Sequence, residues 1–478
     1  MTQKYYQTRE VSKIAGVHRD TLLRWLREGK IPEPKRNRNN WRIFSKADLE
    51  NIVEFTYQVK ETQAPFLVRE PSYSDHIVKL KNIDWDFYNA NTNFLNHSIH
   101  PYPCKFIPQI PNTLIQELSS IGDMVIDPFA GSGTTLVEAL RLGRNVIGVD
   151  ANPLSALICR VKSTKIEKED TAPLFELTNE LVNRGQSLSS NQLSLFGNND
   201  FRKDTIVDIE IDRWIRDWFD PHVIDELATI KDRCLRLENQ SIRELALLAM
   251  SSIIVAVSRQ DSDTRYVRKE KKIGPGDTFK RFSSALEEAI RRQLELSSEI
   301  SRNVTVTVIS GNILEGIDSP SFDLLVCSPP YPNAFSYHLY HRSRMLWLDM
   351  DPVPFKKEEI GSHRKYSSKG KNAATKETFA EELRKILSWI SVKLKPGRHA
   401  CFVIGNSTIR GETIKNDELL IAIAEDIGFS LEANINRNLR ATKKSFNPQI
   451  GKIKDEHIVI LRKDLQVDTN SGVRTADA

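Results

Sequence analysis

The sequence predicts an α/β fold, a mostly parallel sheet with helices on both faces, an inserted helical subdomain and a small separate N-terminal domain. Three observations predict this architecture. Short apolar strands alternate with helical patterns from about residue 96 onward. About 150 residues of mostly helical pattern separate the second strand from the third, which is too long for a plain crossover. The first 60 residues form a separate, compact helical pattern.

The composition is that of a soluble protein with a large core. Of the 478 residues, 40% are hydrophobic and 27% charged. No stretch approaches the ~20 apolar residues that cross a membrane, and the first residues lack the apolar segment of a secretory signal. The five cysteines are scattered without CxxC pairs, which argues against a zinc site or a disulfide framework. We therefore expect a cytoplasmic protein that has no metal and no membrane partner.

The charge points to nucleic acid through its distribution more than its total. The net charge of +5 permits an anionic partner without requiring one. A charged run is usually a solvated face, but three basic clusters on one chain favour nucleic acid. The clusters are PKRNRNNWR (34–42), RYVRKEKK (265–272) and RNLRATKK (437–444).

The first 60 residues predict a small separate domain. Two short amphipathic helices are separated at Ala15–Val17, and Gly29 ends the second. The segment resembles the MerR-type winged helix-turn-helix, which implies a recognition helix at Arg19–Arg27 and a wing at Lys35–Arg42. The alternative is a small protein-interaction module. The resemblance implies DNA contacts at Arg19, Arg24, Arg36 and Arg42.

A polar connector is predicted over 61–95, followed by one large domain over 96–465 with its helical insert at about 165–300. The tail, 466–478, is expected to be disordered. The last strand follows its neighbour without a helix, so we expect an antiparallel edge hairpin. The predicted strands are 123–129, 145–150, 304–310, 322–328, 399–406, 430–438 and 456–462.

Two motifs indicate a cofactor site. DPFAGSGTT (127–135) places a glycine turn between a strand and a helix, where a backbone can approach a ligand at a helix N-terminus. The next strand ends in GVDANP (148–153), so that Asp150 stands where ribose hydroxyls are held. The turn lacks the lysine of a P-loop.

Together with SPPY (328–331), these motifs resemble those of the S-adenosylmethionine-dependent amino-methyltransferases of DNA. The resemblance implies a class I methyltransferase fold. The segment 100–115 is similar to the part of that family that closes over the methionine end of the cofactor. Asp127 is expected to stabilise the turn more than to contact the cofactor, and Asn312 stands where the family often has an aspartate. The resemblance implies a cofactor site of Lys105, Phe106, Asp127, Phe129, Gly131, Gly133, Thr134, Asp150, Asn152, Pro153 and Asn312.

The SPPY turn suits the methylation of an exocyclic amine, a poor nucleophile whose lone pair is delocalised into the ring. A serine hydroxyl and a main-chain carbonyl can accept its two N–H bonds, and two prolines remove competing donors and fix the backbone. An aromatic ring can stack on an extruded base. The predicted catalytic residues are Ser328, Pro329, Pro330 and Tyr331.

The base is predicted from the first residue of the motif. In the resembling family, serine favours N4 of cytosine, and aspartate or asparagine favours N6 of adenine, so adenine is the alternative. Cys327 suggests a covalent attack on a pyrimidine, but it precedes SPP inside a strand. We interpret it as a small buried residue.

The expected partner is double-stranded DNA, gripped by the basic part of the insert. The predicted contacts are Arg265, Arg268, Lys269 and, in a second loop, Lys443. The winged helix has three open roles: lengthening the recognised site, forming a homodimer, or binding its own promoter. No nuclease constellation is evident, so a restriction endonuclease partner is expected to be a separate chain. Two rival functions remain: an RNA guanine-N2 methyltransferase, and a regulator whose catalytic domain only senses the cofactor.

Overall fold

The computed structural model describes eleven stretches of the chain, which fall into two compact units, Met1–Ser74 and Asp75–Ala478. The predicted Lys443 contact, its loop and the tail 466–478 lie outside the described residues. The described stretches are 5–15, 19–27, 29–38, 42–61, 73–189, 213–263, 265–301, 303–332, 335–367, 373–439 and 455–465.

The first unit is built from short helices and a three-stranded antiparallel sheet in the order β1-β3-β2. Leu22 and Phe44 are fully buried in its small core, and Trp25 meets Phe55 edge to face at 5.2 Å. Helix α2 has the same residues as the predicted recognition helix, and strands β2 and β3 contain the two ends of the predicted wing. The elements are β1 Tyr6–Gln7, α1 Thr8–Ile14, α2 Arg19–Arg27, β2 Lys35–Arg36, β3 Arg42–Phe44 and α3 Lys46–Glu61.

The connector predicted over 61–95 is wrong in its second half. Residues from 73 onward form a helix, and Ile77, Leu80 and Trp85 are buried in the same core cluster as the central sheet. The Trp85 indole nitrogen donates to the Leu80 carbonyl at 2.8 Å. The apolar side chains are widely spaced among polar ones, so the segment has the composition of a loop although it covers the sheet.

The second unit begins with helices that frame the first two strands of the sheet. A 3-10 turn at Leu95–Ser98 lies between the first two of these helices. On β4, Val125 packs with helix residues of one face and Ile126 with those of the other, as a strand buried on both faces requires. The elements are α4 Tyr73–Lys81, α5 Gln109–Leu118, β4 Met124–Asp127, α6 Thr134–Arg141, β5 Asn145–Asp150 and α7 Pro153–Ser163.

The insert follows as a helical subdomain whose core cluster also includes residues of α7. It contains a β-hairpin that the sequence analysis missed. Helix α11 (Gln240–Val257) is long and apolar enough to span a membrane by composition. Most of its residues, among them Leu245 and Ile254, are buried against neighbouring helices. It is a core helix of the insert. The elements are α8 Ala172–Ser189, α9 Arg213–Trp218, α10 Pro221–Leu235, α11 Gln240–Val257, β6 Gln260–Ser262, β7 Arg265–Arg268 and α12 Asp277–Glu299.

The remainder completes the sheet. Short 3-10 turns lie at Lys168–Thr171 and Ile313–Glu315. The elements are β8 Val306–Ser310, β9 Phe322–Cys327, α13 Tyr337–Tyr340, α14 Arg342–Trp347, α15 Pro352–Glu358, α16 His363–Ser367, α17 Lys376–Lys393, β10 Leu394–Gly405, β11 Ser407–Ile409, β12 Glu412–Ile414, α18 Asn416–Asp426, β13 Phe429–Asn438 and β14 Asp455–Lys463.

All seven predicted strands lie in one sheet in the order β13-β14-β10-β9-β4-β5-β8. The order confirms the Rossmann-like fold: all neighbours are parallel except at β14, which is antiparallel to both β10 and β13. The predicted antiparallel edge hairpin is present as β13–β14, with β13 at the edge of the sheet and β14 inside it. The apolar run of Ile458–Leu461 is fully buried and needs an interior place, whereas β13 alternates with polar residues and tolerates the edge.

Candidate active site

The glycine turn after β4 adopts a conformation that only small residues tolerate. Gly131 and Gly133 have φ of 50° and 73°, in the left-handed region that glycine enters without strain. A Cβ on Gly133 would lie 3.3 Å from the Cα of Cys159 in α7, so the turn packs closely on that helix. Helix α6 begins at Thr134, and its N-terminus faces the same edge of the sheet.

Asp150, at the end of β5, joins this turn to the neighbouring strand. Its carboxylate accepts the Gly131 amide at 2.8 Å and the Asn152 amide at 2.8 Å. Desolvation raises the pKa of Asp150 to about 6, against the lowering effect of the two amides. Each oxygen retains a second lone pair, so the carboxylate can still accept hydroxyl donors.

Three further predicted cofactor residues are engaged within the turns themselves. Asp127 is buried and accepts the Phe129 amide at 3.0 Å, which agrees with its interpretation as a turn-stabilising acid. Desolvation raises the pKa of Asp127 to about 7. Asn152 caps α7 through the Leu154 amide, with Pro153 in the first turn, and the amide nitrogen of the Asn152 side chain is buried without a protein partner. Asn312 caps the short 3-10 helix in the same way.

The segment before α5 reaches the glycine turn through a residue that the sequence analysis missed. The Tyr102 ring lies 3.5 Å from where a Gly131 Cβ would be, and its hydroxyl meets Ser155 at 3.0 Å. The same ring stacks on Tyr337 with centroids 5.7 Å apart. Tyr102 therefore links the glycine turn to the chain that follows SPPY. The HPYP pattern gave no sign of which aromatic residue would do this.

Lys105 and Phe106 contact other parts of the protein around the site. The Lys105 ammonium donates to the His97 carbonyl at 2.7 Å, and desolvation lowers the pKa of Lys105 to about 8. Phe106 packs against the core cluster of the central sheet. Both lie in the segment that carries Tyr102, so their contacts fix its course.

The SPPY turn leaves the sheet directly beside the glycine turn. It follows β9, which is the parallel neighbour of β4 through Val125 opposite Leu324. Pro329 is buried, whereas Ser328, Pro330 and Tyr331 are partly exposed. The carboxyl ends of β9, β4 and β5 thus bring together the SPPY turn, the glycine turn and Asp150, at the point where the strand order reverses.

Two nearby groups are unsuited to nucleophilic or base chemistry. Cys327 is fully buried inside β9, and desolvation raises the pKa of its thiol well above the ordinary value. Since the thiolate is the nucleophilic form, the structure favours the interpretation of Cys327 as a packing residue. Desolvation likewise raises the pKa of the Tyr331 phenol well above its usual value, so Tyr331 offers a ring and a hydroxyl but no phenolate.

The predicted DNA contacts of the insert lie on the β6–β7 hairpin. Arg265 and Lys269 are exposed, and each lies 3.3 Å from Asp261; Arg268 is also exposed. Tyr266 points the other way and meets Trp218 with ring centroids 4.9 Å apart. The hairpin contacts α13, the helix that follows the SPPY turn.

The predicted contacts of the wing are tied to a carboxylate within their own unit. Arg36 and Arg42 each bond Glu33 at 2.8 Å. Arg19 and Arg24 belong to α2, and their side chains are not described. The predicted wing therefore contains two arginines whose charge is partly neutralised by one acid.

The donor set fits a nucleoside cofactor that carries hydroxyl groups. The glycines with positive φ let the backbone come close to a ligand. The carboxylate oxygens of Asp150 can accept hydrogen bonds from hydroxyl groups, and the Asn152 side chain has an amide donor without a protein partner. Among the described residues, no cluster of three or more His, Cys, Asp or Glu side chains is arranged to hold a metal ion.

Comparisons with known proteins point in the same direction. The family model for DNA methylase (N6/N4 type) matches residues 21–156, which include the glycine turn and Asp150 and end before SPPY. The Type II methyltransferase M.MjaII of Methanocaldococcus jannaschii is 25% identical over 57% of this chain and 66% of its own length. The Type II methyltransferase M.MvaI of Kocuria varians is 28% identical over 55% of this chain and 60% of its length. The chain thus spans slightly less than two thirds of these relatives.

A putative DNA modification methylase of Thermus thermophilus, solved with S-adenosyl-L-methionine, is 20% identical over 34% of this chain and 54% of its own, with a TM-score of 0.20. A likeness this distant carries no weight, and the fold rests on the strand order. The family match and the relatives support an amino-methyltransferase domain in this chain, with S-adenosyl-L-methionine as its cofactor.

Proposed function

We propose that the protein transfers a methyl group to the exocyclic N4 amino group of cytosine in duplex DNA, by direct displacement on a flipped base. One observation carries the proposal: the SPPY turn and the glycine turn leave adjacent parallel strands, β9 and β4, at the same edge of the sheet. A base held by the first therefore faces a cofactor held by the second.

The residues of the chain have separate tasks in this reaction. The cofactor, when bound, supplies a methyl group on a positively charged sulfur. Ser328 Oγ and a main-chain carbonyl of the proline pair accept the two N–H bonds of the amine, which localises the nitrogen lone pair toward the methyl group. The prolines contribute no competing N–H. Tyr331 stacks on the extruded base. The amine loses one proton to solvent after transfer.

The choice of cytosine depends on Ser328, in the position where the resembling family has serine for N4 of cytosine. Adenine N6 is the alternative product. Duplex DNA is favoured over RNA because the exposed hairpin cations, Arg265, Arg268 and Lys269, lie beside α13, and because a winged-helix pattern precedes the domain.

The setting of the enzyme follows from this function. We infer a cytoplasmic protein of a restriction-modification pair, whose endonuclease is a separate chain because no nuclease constellation appears in the sequence. The Type II relatives support this setting. The winged helix is a further DNA contact or a dimerisation module.

The proposal is tested by incubating the full-length protein with tritiated S-adenosylmethionine and, separately, unmethylated duplex DNA or structured RNA. We expect label in the DNA alone, and none with Ser328→Ala. Label in RNA would favour the guanine-N2 enzyme. Cofactor binding without transfer to either nucleic acid would favour a regulatory cofactor sensor.

A further inference from the structure

A loop far from SPPY in sequence packs directly on that turn. Gly361, between α15 and α16, has φ of +72°. A Cβ built there would lie 2.7 Å from the carbonyl oxygen of Tyr331 and 3.2 Å from the carbonyl carbon of Pro330. No real Cβ sits that close to a backbone atom, so the loop can occupy this place only with glycine. The last peptides of the turn are thus backed by the Gly361 backbone.

The same loop is bonded to the chain that leaves the turn. The Glu359 carboxylate accepts the Tyr337 backbone N–H, and its other oxygen lies 2.5 Å from His338 Nδ1. The Ser362 hydroxyl lies 3.0 Å from the Ser336 hydroxyl. Two segments separated by more than 20 residues are therefore fastened side by side, just beyond the catalytic turn. We call these contacts the 336–362 clasp.

The clasp is buried, which makes its bonds important. Glu359 is 4% exposed and His338 5%. A carboxylate in such a place is stable only when its oxygens are occupied, and its bonds to donors are stronger than neutral ones. Loss of the carboxylate would leave the Tyr337 N–H without its acceptor in a buried segment. The loop would then be free to move away from the Tyr331 carbonyl.

We propose that Glu359 and Gly361 are positioning residues for methyl transfer: Glu359 fastens the loop, and Gly361 holds the Pro330–Tyr331 peptide so that the main-chain carbonyls face the amine. Neither residue touches the substrate. The inference rests on the proposed function, because it assigns a purpose to the orientation of those carbonyls. It adds two residues, about 30 positions after SPPY, to the machinery of the site.

The first experiment measures single-turnover methylation with full-length variants. Misplacing a catalytic group by about 1 Å costs on the order of 100-fold in rate, so we expect Glu359→Gln and Gly361→Ala to lose about 10- to 100-fold. The Kd for S-adenosylmethionine should stay within about twofold of wild type. A merely structural role would lower the methylation rate and the affinity for S-adenosylmethionine together, or would change neither.

Matched controls come from the same chain. Glu226 is also buried and accepts two backbone amides, those of Gly276 and Thr278, away from the turn; Glu226→Gln should leave the rate per folded molecule unchanged. Gly122 has φ of +87° with open space at its Cβ position, so Gly122→Ala reproduces the backbone strain without the contact. Wild-type rates in both Glu359→Gln and Gly361→Ala would overturn the proposal.

A second measurement does not depend on activity. Hydrogen exchange of the Tyr337 amide should speed up in Glu359→Ala and stay slow in Glu226→Ala. If the wild-type protein methylates no nucleic acid, the proposed function fails, and the exchange result alone decides whether the clasp exists. Unchanged protection of Tyr337 in Glu359→Ala would contradict the clasp, whatever the enzyme does.

Discussion

The Gly131 amide donates a hydrogen bond of 2.8 Å to the Asp150 carboxylate, which joins the glycine turn after β4 to the end of β5. One carboxylate thus both shapes the turn and faces the place where a ribose is expected. Its second backbone bond, from Asn152, is equally short. The protonation state of Asp150 should therefore control the affinity for the cofactor.

The Kd for S-adenosylmethionine should rise as the pH falls through about 6, because desolvation raises the pKa of Asp150 to about 6 and a protonated carboxyl loses acceptor capacity. We expect affinity about tenfold weaker at pH 5 than on the plateau, measured by calorimetry. The Asp150→Asn variant should bind S-adenosylmethionine more weakly and should lose the change in Kd near pH 6. Any remaining change in Kd near pH 7 would belong to Asp127.

The free energy of unfolding depends on pH in the opposite direction. Because the pKa of Asp150 is higher in the folded than in the unfolded protein, the stabilisation that Asp150 contributes is fully present below the ordinary carboxyl pKa and is lost as the pH rises through about 6. Cofactor affinity and intrinsic stability of the cofactor-free protein therefore change in opposite directions over this range. A Kd that stays flat from pH 5 to 8 would contradict the assignment of Asp150 to the ribose.

Ser328→Ala should lower the methylation rate by about 100- to 1,000-fold, the usual loss when one preorganised hydrogen-bond partner of a transition state is removed. Tyr331→Ala should lower it by about 10- to 100-fold through lost stacking. Both variants should bind S-adenosylmethionine as the wild type does, since neither residue follows β4 or β5. Loss of cofactor binding along with activity would show that the two halves of the site are not separable.

Arg265→Ala and Arg268→Ala should each weaken binding to duplex DNA about equally for all sequences. Each should also reduce the slope of log K against log salt by about 1, as the loss of one phosphate contact predicts. Arg236→Ala is the matched control, because Arg236 is an exposed arginine of the insert, directly after α10, and is paired with Asp232. Equal effects at all three positions would show a general charge effect and no hairpin contact.

Glu33→Gln should tighten DNA binding by the full-length protein and steepen its salt dependence. The change removes the carboxylate that pairs with both Arg36 and Arg42 of the predicted wing, which increases the local positive charge that attracts phosphate. Glu50→Gln, which removes an exposed pair with Lys46 in the same unit, is the control. No difference between the two variants would indicate that the wing does not contact DNA.

Sequence periodicity located all seven strands. Most are runs of β-branched and apolar residues between turn signals, as in Ile458–Leu461, whereas β13 alternates apolar with polar residues. It also predicted the antiparallel edge hairpin, but adjacency in the chain does not state which of the two hairpin strands is interior. The β6–β7 hairpin was missed because its strands, three and four residues long, carry three charged residues between them and give no apolar alternation.

The site was predictable only where a motif is continuous. DPFAGSGTT, GVDANP and SPPY each lie on one turn, and the parallel sheet brings them together. Tyr102, Glu359 and Gly361 act through contacts with distant segments, and nothing local distinguishes them from other tyrosines, glutamates and glycines. Asn152 and Asn312 were expected in the cofactor site, and the structure adds that each also caps a helix, which local sequence can predict.

The central claim is best tested by identifying the methylated base. Full-length protein is incubated with S-adenosylmethionine and unmethylated duplex DNA, the DNA is digested to nucleosides, and the products are separated by mass spectrometry. We predict N4-methylcytosine, absent with Ser328→Ala. N6-methyladenine would retain the mechanism and contradict the choice of base. A methylated carbon of cytosine would contradict direct transfer to an exocyclic amine.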